Sequence, residues 1–379
     1  MTAKKYLFVV TAIALVLAVS TVAFDRIVDP FWYYRDVTLE GFNAVKPKFK
    51  NYERHVKPAI VQRMQPASLI FGSSFSEIGF DPLHPALRSV GKSYNFALAG
   101  ALWDMVFCDV QFAISHDDAL RQVVLGIHPE TMAKKDCRNE IVSMENPEKR
   151  AFLFSYDALE ASINTVLQQH SKPSHTADGL YFYTRGLRGT ESRFREVFNI
   201  HPPCNIKNVS AIGMAPKNAN MEQLDLSGLS DILRKTAEKG IEIKLVVYPR
   251  HILSFEQEYQ CGIRQFRWNA LMQIVKLAHQ EAGDLAQVWD FEGYHKIGTE
   301  PISDAAGQYW QDPGHFNYEF GNIMLDEMFG LKPAKFGMKL TSTNLSARAD
   351  SEQKDRAAFL QAHPELLQQL ENLLPHQTN

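Results

Sequence analysis

The chain has 379 residues, 45% of them apolar and 22% charged, with a formal net charge of -3. That is a globular composition, long enough for one large α/β domain with insertions or for two domains. It lacks the basic excess that nucleic-acid binding needs, so no nucleic-acid partner is expected.

Lys4 and Lys5 precede an uncharged apolar run from Tyr6 to Phe24. A membrane-spanning helix needs about 20 such residues. The two lysines on its N-terminal side favour an N-terminus inside and the remainder outside. Residues 1–24 are therefore read as a signal anchor, single-pass in the inner (cytoplasmic) membrane, with the bulk of the chain periplasmic or extracellular. A cleaved secretory signal, with Thr21 and Ala23 as small residues near a cleavage point, is the alternative. Residues 25–66 form a membrane-proximal connector and a helix. In the connector, Trp32, Tyr33 and Tyr34 suit either the lipid interface or burial.

Strands and helices alternate from there. Segments at Ser68–Gly72, Lys92–Ala97, Gln122–Ile127, Ile241–Tyr248 and Leu285–Phe291 read as five strands, with Gln122–Ile127 a continuous apolar run as a sheet covered on both faces requires. Helical spacing covers about 102–114, 227–239 and 254–282, with a last helix from His315 to Met328. A stretch of about 130–225 departs from the alternation and reads as an insertion within a 67–330 domain. The polar 331–379 tail carries two short helical patterns, 352–361 and 364–373, and its charged run Ala349 to Arg356 reads as exposed and less ordered. Alternation of this kind predicts an α/β fold with a mostly parallel five-stranded sheet and helices on both faces, a three-layer sandwich. The cysteines, Cys108, Cys137, Cys204 and Cys261, suit an oxidising compartment and allow three pairings. Cys108, inside an apolar helical pattern, reads as a free buried thiol.

Ligands bind outside the carboxyl ends of strands in such sheets. At the end of the first strand stands Gly72-Ser73-Ser74, followed by a helical turn that offers free N–H groups beside the hydroxyls. After the last strand stands Asp312-Pro313-Gly314-His315. An Asp three residues before a His can orient the ring and stabilise the imidazolium that forms when the other nitrogen takes a proton. Asn95, His128 and His251 also fall at strand ends and are candidate substrate-binding residues, with a hydrogen-bonded structural role the favoured alternative for His251. No metal-binding or phosphate-loop pattern is present, so no metal and no cofactor are expected.

These motifs, in this order, resemble the SGNH/GDSL hydrolase superfamily. The stretches from Leu69 to Pro82 and from Val288 to Tyr294 are similar to membrane-anchored bacterial SGNH-like proteins, the DltD-type and alginate-acetylation-type proteins that act beside polymer acyltransferases. The resemblance implies a flavodoxin-like SGNH fold with Ser74 as nucleophile, His315 as base and Asp312 as its orienter. The backbone N–H groups of Ser74 and Gly100 would form the oxyanion hole. The family's Gly-x-Asn-Asp block is not evident; Asn95 or His128 would have to replace its Asn, or the hole has two donors. The implied function is an exported serine esterase or O-acyltransferase acting on a carbohydrate polymer, with a membrane-bound O-acyltransferase as partner. The alternative is an inactive SGNH-like assembly or polysaccharide-binding protein.

Overall fold

The structure, a computed structural model, describes residues 2–129, 132, 136–145, 149–182, 189–200 and 224–374. The chain divides into two compact units, residues 1–64 with 138–177, and residues 65–137 with 178–379. The first part of the 130–225 stretch thus belongs with the N-terminal segment.

The first unit is helical. Its N-terminal helix, Ala3–Val28, is long and apolar enough to cross a membrane, and its apolar side chains are uncovered. Asp29 ends it in the left-handed region, at φ 47°. The Asp29 carboxylate then accepts the N–H groups of Tyr33, Tyr34 and Arg35 at 2.8, 3.0 and 2.7 Å. That cap folds the connector inward, so Phe31, Trp32 and Tyr33 are buried rather than turned to a lipid interface. Lys46 is buried beside the helix end and donates to the Val28 carbonyl at 2.5 Å. Helices Phe49–Met64, Arg138–Glu145 and Tyr156–Leu167 complete the unit.

The second unit is built on a six-stranded sheet: β1 Ser68–Phe71, β2 Ser93–Asn95, β3 Gln122–Ile127, β4 Glu242–Val247, β5 Ala286–Asp290 and β6 Met338–Leu340. The spatial order is β2-β1-β3-β4-β5-β6. The first five strands are parallel and β6 is antiparallel to β5. The order reverses between β1 and β3, a topological switch point of the kind where open α/β sheets bind ligands. β1 and β3 are buried along their whole length, which is why they read as continuous apolar runs.

The expected sheet of five strands is therefore one strand short, and the sixth comes from the polar tail. The tail also supplies helices Leu345–Ala362 and Glu365–Leu373. The charged run from Ala349 to Arg356 is exposed at Asp350, Ser351, Gln353, Lys354 and Asp355, as expected, but it is helical and docked rather than loosely ordered. Glu352 is fully buried, accepting from Arg264 Nε and Trp268 Nε1, each at 3.2 Å. Arg348 Nε reaches Asp290 at 3.1 Å, and Arg356 reaches Glu256 at 2.8 Å. The first tail helix docks through paired charges, which apolar periodicity does not register. The expected helix over 254–282 is two helices, Ile252–Gln260 and Ile263–Ala282, broken where Gly262 turns left-handed at φ 70°.

Cys108 is not a free thiol; it forms a disulfide with Cys137, with Cα atoms 5.3 Å apart. Cys261 is also disulfide-bonded. Cys204 lies outside the described residues.

One contact sets the spacing around the strand ends. The short helix after β1, Ser74–Gly79, packs on helix Tyr318–Met328 through glycines. A Cβ on Gly321 would lie 1.6 Å from the Gly79 carbonyl oxygen, and a Cβ on Gly79 would lie 2.1 Å from the Phe316 ring. The Gly321 contact is with backbone and does not relax by a rotamer change; the Gly79 contact is with the ring of fully buried Phe316. Gly321→Ala is expected to destabilise the protein by about 2–3 kcal/mol, the upper range for overpacking, whereas Glu319→Ala, exposed on the same helix, should cost under about 0.5 kcal/mol. Denaturant melts of the two variants measure the difference.

Candidate active site

β1 runs into Gly72, whose φ of +143° belongs to glycine. A Cβ there would also lie 2.0 Å from the Tyr248 hydroxyl. Tyr248, just past the end of β4, holds the loop in place. Its Oη accepts the Ser73 N–H at 3.1 Å and pairs with Ser76 Oγ at 2.7 Å. Burial pushes the Tyr248 hydroxyl pKa up, so it stays protonated. Ser73 is thereby the N-cap residue, and Ser74 opens the helix. The Ser74 N–H is among the helix-start donors that intrahelical bonding leaves over.

The loop after β5 returns to this point. Trp310 and Phe316 form an antiparallel bridge, closed by Gln311 N–H to the His315 carbonyl at 2.9 Å and Asn317 N–H to the Tyr309 carbonyl at 2.8 Å. Asp312, Pro313, Gly314 and His315 form the tip. The following helix starts at Tyr318 rather than at His315, because Asn317 caps it, accepting from Glu319 and Phe320. His315 is thus fixed by a hairpin and not by a helix.

Three of the sequence candidates meet here. Ser74 Oγ lies 2.8 Å from His315 Nε2, and His315 Nδ1 lies 2.8 Å from Asp312 Oδ2. Asp312 is 2% exposed. Its Oδ1 accepts the N–H groups of Gly314 at 3.0 Å and His315 at 2.8 Å. Burial alone would raise the Asp312 pKa. The nearby His315 charge and these hydrogen bonds outweigh it, and the carboxyl is held below its usual range. An ionised Asp312 keeps the proton on Nδ1 and leaves Nε2 to accept from the Ser74 hydroxyl.

Gly100 occupies the turn after β2. Its φ of +72° closes a Leu98–Ala101 turn, with Ala101 N–H bonded to the Leu98 carbonyl at 3.0 Å. Leu98 N–H donates to the Gly72 carbonyl at 3.1 Å, and Ala99 N–H to Glu77 Oε2 at 2.9 Å. Those two bonds tie the Gly100 turn to the Ser74 loop.

The other candidates divide. His128 stands beside the site, edge-on to the Phe75 ring at 5.0 Å. Asn95 does not face it. Its Nδ2 donates to the Ser76 and Phe80 carbonyls, both at 2.9 Å, and its Oδ1 accepts from Ala97 N–H at 3.1 Å. With its amide so committed, Asn95 is a clamp on the Ser74–Gly79 helix and is not available as an oxyanion donor. His251 is also structural. Its Nδ1 caps the Leu253 N–H at 3.2 Å, its Nε2 donates to the Glu300 carbonyl at 2.7 Å, and it is 2% exposed.

Three residues join the site without having been singled out. Tyr248 is described above. Phe75 stacks on the His315 ring, centroids 4.4 Å apart at 20°. Arg193, buried at 2% exposure on helix Thr190–Ile200, places Nη2 3.5 Å from Asp312 Oδ2. It comes from the 130–225 stretch, where no sequence pattern pointed to it.

His251 gives a pH prediction. Burial pulls its pKa down to about 4, against about 6.5 in an unfolded chain. The unfolded state therefore binds the proton first. The stabilisation is complete above about pH 6.5 and declines as pH falls toward 4, by up to about 1.4 kcal/mol per unit. Urea melts from pH 7 to pH 4 should lose stability less steeply for His251→Asn than for the wild type.

A scan against protein-family models finds no match for this sequence, and a search of curated proteins finds none.

Proposed function

We propose that the protein is an exported, membrane-anchored serine esterase or O-acyltransferase that works through Ser74, His315 and Asp312. The observation that carries this is the unbroken chain of contacts from Ser74 Oγ to His315 to buried Asp312, at 2.8 Å and 2.8 Å. A serine bonded to a base, itself oriented by a third group, is the arrangement nucleophilic acyl transfer requires. The strand order, with its reversal between β1 and β3, supports a flavodoxin-like, three-layer sandwich of SGNH type.

In this reading His315 Nε2 takes the Ser74 hydroxyl proton while Oγ attacks the carbonyl carbon of an ester. The Ser74 and Gly100 N–H groups hold the oxyanion, and His128 lines the substrate side. The tetrahedral intermediate collapses to an acyl-Ser74, and His315 returns the proton to the leaving alcohol. Water or a sugar hydroxyl then attacks the acyl group with His315 again as base, and Ser74 is regenerated. Asp312 stays ionised throughout and stabilises the imidazolium. The N-terminal helix, as a single-pass anchor with its lysines in the cytoplasm, would hold this chemistry outside the inner membrane. Its substrates there would be cell-envelope or extracellular polysaccharides, and a membrane-bound O-acyltransferase would be its donor.

Ser74→Ala and His315→Ala should each lower kcat/KM for an aryl acetate by about 10⁴-fold or more, and Asp312→Asn by about 10⁴-fold. Circular dichroism should be unchanged. Full activity in both the Ser74 and His315 variants would falsify the triad.

A further inference from the structure

The Tyr156–Leu167 helix carries a second apolar stripe that its own unit leaves uncovered. At 100° per residue, Ala158, Ala161, Ser162 and Thr165 lie on one face, and all four are buried. Tyr156, Ile163 and Leu167 lie on the opposite face, 80%, 45% and 75% exposed. Half-buried Leu159 and Val166 widen the stripe on one shoulder. Asp157, Glu160 and Asn164 form the other, where Glu160 meets Lys48 at 3.3 Å. Phe154, just ahead of the helix, is 58% exposed.

What sets the level of this stripe is its neighbour. The small-residue face packs on the N-terminal helix, with Ser162 facing the Asp25 carboxylate. Asp25 is the first charge after the apolar run, so it marks the end of the stretch that hydrocarbon can hold. The N-terminal helix has 26 residues, about 39 Å at 1.5 Å per residue, against a hydrocarbon core of about 30 Å. Its last turns therefore stand at the boundary, and the middle of the Tyr156–Leu167 helix stands with them. The connector aromatics Phe31, Trp32 and Tyr33 are buried and cannot serve as interfacial anchors; Phe154 and Tyr156 can.

We infer that the Tyr156–Ile163–Leu167 stripe contacts lipid at the boundary between headgroups and acyl chains, giving the protein a second membrane attachment beside its anchor. The inference rests on the N-terminal helix spanning the bilayer. An apolar face opposite a packed face, with acidic and amide groups on one shoulder only, suits a surface that is lipid below and water to one side.

The test uses the full chain in phospholipid nanodiscs, with single spin labels at Val16→Cys, Asp157→Cys, Ile163→Cys and Leu167→Cys. Collision with oxygen should exceed collision with a water-soluble nickel complex several-fold at positions 16, 163 and 167, and the order should reverse at 157. Nickel dominating at 163 and 167, with 16 still lipid-exposed, would put the stripe in water and overturn the inference alone. Shielding from both reagents at 163 and 167 would mean a protein covers them, which also overturns it. Nickel access at 16 would remove the spanning helix itself, and the inference with it.

Discussion

The contact on which the rest of the site depends is between two backbones. Gly79 and Gly321 let the helix that begins at Ser74 lie against the helix that follows His315. The serine and the histidine are 241 residues apart in sequence, yet their side chains meet at 2.8 Å. Both are held within a few residues of that contact, so their separation is set by main chain and not by flexible side chains. Around it the supports converge. Tyr248 fixes the loop before Ser74, Asn95 clamps the helix after it, and His251 N–H bonds the Pro313 carbonyl in the loop that carries Asp312 and His315. Pre-organisation of this kind lets a base and a nucleophile act without rearrangement.

The second constraint is electrostatic. Arg264 and Arg267 are buried against Glu292, each at 2.8 Å, and Arg264 reaches on to Glu352 in the tail helix. Breaking one partner of such a pair costs about 3–5 kcal/mol, because the other charge is left buried and unpaired. The network fastens the tail to the end of β5. The last tail helix then covers an apolar cluster shared with Phe194 and Phe198, on the helix that carries Arg193. A segment distant from the site in sequence thus buttresses the arginine beside Asp312.

The meeting of Ser74, His315 and Asp312 was legible because strand alternation places residues after β1 and β5 at one edge of the sheet, and Gly-Ser-Ser and Asp-x-x-His are short enough to recognise. The parallel strands were legible because burial on both faces writes itself as apolar runs. Asn95 and His251 became candidate substrate groups for the same positional reason, although a hydrogen-bonded structural role was the favoured reading of His251 and is the one its contacts bear out. Polar side chains at strand ends serve equally well as clamps on backbone, and sequence does not separate the two uses. The two tail helices were legible as short helical patterns, whereas the docking of the first was not, because it is made by ion pairs, which leave no apolar stripe. Phe75, Tyr248 and Arg193 carry no motif; what they contribute arises only when three separate segments meet.

In the proposed mechanism Ser74 is a nucleophile activated by His315 and Asp312. The most direct measurement is labelling of the intact protein with a fluorophosphonate, followed by peptide mapping. A single adduct on Ser74, lost in His315→Ala, is the expected result. An adduct on Ser73, or equal labelling of Ser74 with His315 removed, would contradict the account.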